Sequence, residues 1–278
     1  MPVTLSTKTN VPSDKIEDYI WVFGGEKKIG KTHFASQFPE SYILEFEPGN
    51  AKHLPVRFND VFSWQESLEY LTLIENTPNF CKTLVIDDIN SWYRLLIRYT
   101  REQIFKLSDS EPMQIKHWDY PREQFFKVFQ RIRNLNTKGL GIVLTNHIEI
   151  KTHQDLYGKE YSQLALNFGN QPKEIIDAIG HFVGIMLRTP TGERHIYLKG
   201  TSFVRCGHGW NNHFLNGETG EELGFIEMGA SAKQAYENFV KAFNNQYVPP
   251  KPQSIEINED GQQIPKPFVT KVKPVVKQ

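Results

Sequence analysis

Disulfide chemistry is the first thing this sequence excludes. Its 278 residues hold two cysteines, Cys81 and Cys206, too few for a cross-linked framework and typical of a reducing compartment. An excess of charge is also missing. Lysine plus arginine (32) equals aspartate plus glutamate (32), so bulk charge favours neither an anionic nor a cationic partner. No apolar run is long enough to span a bilayer, and Met1 to Asn10 is polar rather than signal-like. The expectation is a cytoplasmic protein with no membrane partner. No internal repeat is visible. What is present is ordinary for a globular chain, 39% hydrophobic and 23% charged, with ample material for a core.

Against that background one stretch stands out. Gly25-Glu26-Lys27-Lys28-Ile29-Gly30-Lys31-Thr32 fits the G-x-x-x-x-G-K-[ST] spacing of a phosphate-binding loop. Tyr19 to Gly24 before it is aromatic and β-branched, and reads as a buried strand. His33 to Phe38 after it reads as a helix ending near Pro39. In that context successive main-chain N–H groups turn inward, and the helix start adds partial positive charge. The expected nucleotide cradle is therefore Gly25, Glu26, Lys27, Lys28, Ile29, Gly30, Lys31, Thr32 and His33. Lys31 is placed to reach the β- and γ-phosphates of ATP and Thr32 to ligate Mg²⁺.

Further strands are expected at Ser41–Glu47, Thr83–Asp88 and 139–147, the last two apolar enough to be buried on both faces of a parallel sheet. Helices are expected over 63–76 (with Ser63 as N-cap), 89–107 and 119–137. The alternation predicts an α/β fold with a mostly parallel central sheet flanked by helices. Residues 148–172 are polar and aperiodic and read as a long loop. A late hairpin follows, 181–189 and 195–200 joined by Pro190-Thr191-Gly192, then a final helix over 232–243. From Val248 the chain holds six prolines and few large apolar groups, the composition of a disordered tail. The expected division is a leader over 1–18, one ATPase domain over 19–247 and the tail over 248–278.

Asp87, at the end of an apolar strand, is the expected second oxygen ligand of Mg²⁺. The base that activates water must come from elsewhere, and Glu47 stands at the end of the second strand. A solvated turn carboxylate is the competing account of Glu47. Cys206, His208 and His213 are off the usual zinc spacing and read as core or loop residues.

These residues resemble the RecA-type ATPases. The resemblance implies that Glu45-Phe46-Glu47 supplies the catalytic glutamate. It also implies that Asn146-His147 stands where the family often has Asn-Gln, a sensor of the γ-phosphate. Histidine departs from that pattern because it titrates near neutrality, and a capping or core histidine is the alternative. Neither Asp87 nor Asp88 is followed by glutamate, so the Asp-Glu pair of AAA+ proteins is missing. More narrowly, Val22–Thr32, Leu44–Gly49, Leu84–Asp88, Leu144–His147, Ile175-Ile176-Asp177 and Arg194–Gly200 are similar to the short phage RecA-like proteins of the Sak type. That kinship covers roughly 19–245. It implies a recombination or annealing protein of a bacterial host's cytoplasm, hydrolysing ATP with Mg²⁺ on single-stranded DNA and assembling with itself as a ring or filament. A basic residue acting across the subunit interface is then Lys199 or Arg205.

Direct support for DNA is thin. The 149–172 stretch is not basic, but Tyr157, Tyr161 and Phe168 could stack on bases. Arg94, Arg98 and Arg101 share a helix face, where solvated ion pairs account for them better. Lys266, Lys271, Lys273 and Lys277 equip the tail for contact with DNA or a single-strand DNA-binding protein. A small-molecule or nucleotide kinase needs an arginine-rich lid, and 148–172 holds no arginine. A non-hydrolysing ATP-binding assembly module is the other rival.

Overall fold

A computed structural model describes residues 9, 12–108, 110–154, 156–168 and 170–250. The tail expected beyond 248 thus lies, from residue 251, outside the described residues, as does most of the 1–18 leader. Contacts group Met1–Val248 as one unit, separate from Pro249–Gln278. In chain order the first half of that unit contains β1 (Ile20–Gly25), α1 (Lys31–Ala35), β2 (Ser41–Glu45), β3 (Arg57–Asp60), α2 (Trp64–Asn76), β4 (Thr83–Asp87) and α3 (Ile89–Tyr99). The second half contains α4 (Asp119–Thr137), β5 (Gly141–Gln154), β6 (Glu160–Leu166), α5 (Asn170–Ile179), β7 (Phe182–Arg188), β8 (Arg194–Tyr197), β9 (Gly207–His208), β10 (Phe225–Glu227) and α6 (Ala232–Phe243). No helix among the described residues is long and apolar enough to cross a membrane.

The sheet runs β10-β8-β7-β1-β5-β4-β2-β3. From β7 to β3 every pairing is parallel, and β8 and β10 extend it antiparallel. The fold is therefore α/β with a mostly parallel central sheet, as the alternation of strands and helices requires. Side chains alternate across it and divide the core in two. Ile20, Val22, Leu84, Ile86, Ile142 and Leu144 pack under α2, α3, α4 and α5. Trp21, Phe23, Ile43, Val85 and Val143 pack under α1 and α6. Every residue of β1, β2 and β4 is buried, the expected signature of strands covered on both faces.

Several boundaries differ from expectation for identifiable reasons. The helix after the phosphate loop is only Lys31–Ala35, entered from Gly30 at φ 109°, a left-handed conformation glycine adopts without strain. The helix from 89 keeps α geometry to Tyr99, then widens to a π turn over Thr100–Ile104. β3 was not visible in the sequence because it is short, polar but for Phe58, and partly exposed at the sheet edge. The largest correction concerns 148–172. β5 does not stop at His147 but continues to Gln154 and turns back as β6, with Ile148 opposite Leu166 and Gln154 opposite Glu160. The expected loop is a β-hairpin followed by the start of α5.

Trp92 of α3 is the centre of the first core. It is fully buried, stacked on Phe46 at 5.2 Å between ring centroids, and its indole N–H donates to the Ser67 hydroxyl at 2.8 Å. Trp92→Ala should lower unfolding stability by about 3–5 kcal/mol, the usual range for a large buried aromatic. Urea denaturation followed by circular dichroism checks this, and a loss below about 1 kcal/mol would show that the site collapses without harm.

Candidate nucleotide site

The C-terminal ends of the parallel strands deliver the sequence-predicted residues to one cavity of about 690 Å³. β5 lies between β1 and β4, so the strand carrying Asp87 is one removed from the strand that enters the phosphate loop. Thr32 bridges the gap. Its hydroxyl donates to Asp87 Oδ2 at 2.6 Å, while the Thr145 hydroxyl donates to Asp87 Oδ1. Thr32 and Asp87 both offer oxygen, the ligand chemistry of a hard cation such as Mg²⁺, although here the hydroxyl is spent on the carboxylate.

Lys31 is 7% exposed, and its ammonium donates to the carbonyls of Gly25 and Glu26, both at 3.0 Å. It also lies 3.4 Å from His147 Nδ1. Burial pulls its pKa down, against the opposing pull of Asp87, Asp88, Glu47 and Glu26. Of the expected cradle, Lys27, Lys28, Gly30, Lys31, Thr32 and His33 line the cavity. Ile29 does not, being buried in the core under α1. Gly25 and Glu26 act on the lysine through their carbonyls.

The two glutamates after β2 separate cleanly. Glu45 is fully buried and accepts from the main-chain N–H groups of Asn50 and Ala51. Burial raises its pKa and those N–H groups oppose the shift, so Glu45 pins the turn that places Asn50 and His53 on the cavity wall. Glu47 faces the cavity. Its Oε1 accepts from the Ser91 hydroxyl at 3.3 Å, and its Oε2 lies 3.3 Å from His147 Nε2. His147 sits among charged groups rather than in an apolar core, with Asp88 Oδ2 also 3.3 Å from its Nε2.

Sequence reasoning missed four contributors. Asp88 is 3% exposed, accepts from Ser91 N at 2.6 Å as the N-cap of α3, and follows a cis peptide. Thr145 gives no motif signal. His53 is 3.1 Å from His33, Nε2 to Nε2, and burial, His53 and Arg194 together lower the His33 pKa. Arg194 donates to Ile29 O at 3.4 Å and Gly229 O at 2.9 Å, tying the phosphate loop to the opposite wall of Met228, Ala230, Ser231 and Ala232. A single arginine at a strand start carries no pattern a sequence reader could use.

Other candidates lie elsewhere. Lys199 pairs with Glu222, and Arg205 lines a separate cavity of about 310 Å³ with His181, Cys206 and His208, so neither touches the nucleotide cavity of its own chain. His213 Nδ1–H donates to Phe243 O at 2.8 Å, and the Cys206 thiol is pushed by burial up to about 12, both in keeping with packing roles. Phe168 is 2% exposed and removed from any stacking role, whereas Tyr157 (94%) and Tyr161 (40%) are presented by the hairpin. Arg98 pairs with Glu102 and Arg101 donates to Ser108 O and Glu111 O, the solvated-face arrangement.

A family model described as an AAA domain matches residues 18–205, which include the phosphate loop, Asp87, His147 and the hairpin. No curated protein matches the chain. Lys31→Ala removes several charge-assisted bonds at once. It should weaken ATP binding by roughly 10- to 100-fold while circular dichroism and melting stay near wild type. Unchanged affinity in an ATP titration would remove this cavity from the nucleotide reading.

Proposed function

The chain belongs to the AAA domain family of P-loop ATPases, and from that premise we propose that it couples Mg²⁺-dependent ATP hydrolysis to single-stranded DNA in recombination or strand annealing. One observation supports the coupling above others. β5 is a single uninterrupted strand that carries His147 in the cavity wall and ends in a hairpin whose turn exposes Leu156 (100%) and Tyr157 (94%). Anything that moves His147 relative to Lys31 moves the base of the same strand.

In this reading the phosphate-loop N–H groups and Lys31 hold the β- and γ-phosphates, and Lys31 leaves its carbonyl partners to do so. Thr32 and Asp87 would hold Mg²⁺, which would supply charge neutralisation at the phosphates. Glu47 takes a proton from the attacking water as general base. The Ser91 hydroxyl keeps its carboxylate turned to the cavity, beside His147 Nε2. His147 senses the γ-phosphate from the strand end, and Tyr157 and Tyr161 stack on bases at the hairpin. The resemblance to phage annealing proteins supports self-assembly as a ring or filament. In the same reading the lysine-bearing tail contacts a single-strand DNA-binding protein.

Glu47→Gln keeps the size but removes the base. Turnover should fall by about 10²-fold or more with ATP affinity retained, measured by phosphate release. Wild-type turnover would transfer the base to Asp88 or another chain. Tyr157→Ala with Tyr161→Ala should weaken single-strand binding at least ~10-fold, since stacking contributes about 1–3 kcal/mol per base. ATP binding without DNA should not change. Fluorescence anisotropy of a labelled oligonucleotide, with and without a non-hydrolysable ATP analogue, reads both the stacking and the coupling, which must be reciprocal. Equal DNA affinity in both conditions would break the coupling. No DNA binding at all would favour a kinase or a non-hydrolysing assembly module.

A further inference from the structure

We propose that Glu47, Asp88 and His147 form a second cation site, for a divalent transition metal of the zinc class, at the γ-phosphate end of the cavity. The site's position relative to phosphate rests on the nucleotide reading above, but its ligands do not. One ligand atom from each residue lies within 4.8 Å of the others. His147 Nε2 is 3.3 Å from Glu47 Oε2 and 3.3 Å from Asp88 Oδ2.

Those distances are long for what they replace. A charge-assisted N–H···O⁻ bond runs about 2.7–2.9 Å, and a ring nitrogen carries one proton that cannot satisfy two carboxylates. They match a different object. A tetrahedral ion with bonds of about 2.0–2.1 Å to nitrogen and oxygen sets its ligands roughly 3.3 Å apart.

A second observation points the same way. Asp88 is 3% exposed, its Oδ1 is used on Ser91 N, and its buried Oδ2 makes no hydrogen bond. That oxygen is free to take a cation.

The donor set also discriminates. One imidazole with two carboxylates suits zinc or manganese better than magnesium, which favours the oxygen pair at Thr32 and Asp87. Glu47 is the most exposed of the three, so the open coordination positions face the cavity. An ion there would consume the Glu47 lone pair and stop it acting as a base.

Lys31 sets when the site can fill. Its ammonium lies 3.4 Å from His147 Nδ1, and a cation there opposes a proton on that nitrogen. Metal on Nε2 requires the proton on Nδ1 and hence a lysine that has turned away, as it does toward nucleotide phosphate. Metal and nucleotide should therefore tighten each other's binding.

Isothermal titration of Zn²⁺ into the full chain, in excess Mg²⁺, with and without ADP, tests this. Wild-type protein should take up one more Zn²⁺ than either His147→Gln or Asp88→Asn, a difference that cancels background sites such as His33 with His53. Both variants must keep the wild-type circular dichroism spectrum and melting temperature. ADP should tighten that added equivalent at least ~10-fold, and micromolar Zn²⁺ should inhibit turnover without displacing ATP. Equal Zn²⁺ uptake by wild type and folded variants would overturn the site. A Zn²⁺ difference that ignores ADP, although ADP binds, would overturn the Lys31 gate. Failure of ADP to bind at all would instead sink the nucleotide reading and leave the metal result standing.

Discussion

The buried ammonium of Lys31 is the constraint that the rest of the cavity answers. An isolated charge at 7% exposure is costly, and the protein offsets it with two carbonyls and a ring of carboxylates. Those carboxylates come from different strand ends, Glu47 after β2 and Asp87 and Asp88 after β4. They converge only because β5 lies between β1 and β4 and carries Thr145 and His147 into the gap. Without ligand the lysine is held by its own loop. Phosphate must replace those contacts with stronger ones, so part of the binding energy is spent releasing it.

The sheet that holds this arrangement is rigid where it needs to be. β1 is the central strand, paired parallel on both sides, and its approach to its neighbours is close. A Cβ at Gly24 would stand 2.5 Å from Leu166 Cδ2 and 2.7 Å from Ile185 Cδ1, so any larger residue there must push the ends of both side chains aside. Trp21 and Phe23 anchor the same strand in the aromatic core under α6, through edge contacts with Phe239 at 5.1 and 5.3 Å.

What was legible in the sequence was whatever depended on local pattern. The phosphate loop, the buried strand ending in Asp87, the Ser63 cap and the 232–243 helix all follow from spacing, burial period and cap chemistry, and the structure has them. The β5–β6 hairpin was not legible, because Glu149, Lys151 and His153 alternate with residues such as Ile150 that are themselves exposed, leaving no one-sided apolar pattern. Arg194 and Asp88 were missed for another reason. Their places in the cavity depend on partners distant in the chain, Ile29 and Gly229 for the arginine, Glu47 and His147 for the aspartate.

The family and the carboxylate pattern can be reconciled through Ser91. This AAA domain lacks glutamate after Asp87 or Asp88, so the carboxylate at Thr32 and the one facing water arise on separate segments. Ser91 joins them. Its main-chain N–H is held by Asp88 Oδ1 at the start of α3, and its hydroxyl donates to Glu47 Oε1. The orientation of Glu47 is thus referred to the first turn of α3, and α3 in turn is fixed by Trp92 in the core beneath it. The Glu47 carboxylate is aligned only when α3, the turn after β2 and the end of β5 agree. In the proposed reaction those are three separate elements through which the β5–β6 hairpin can act on Glu47.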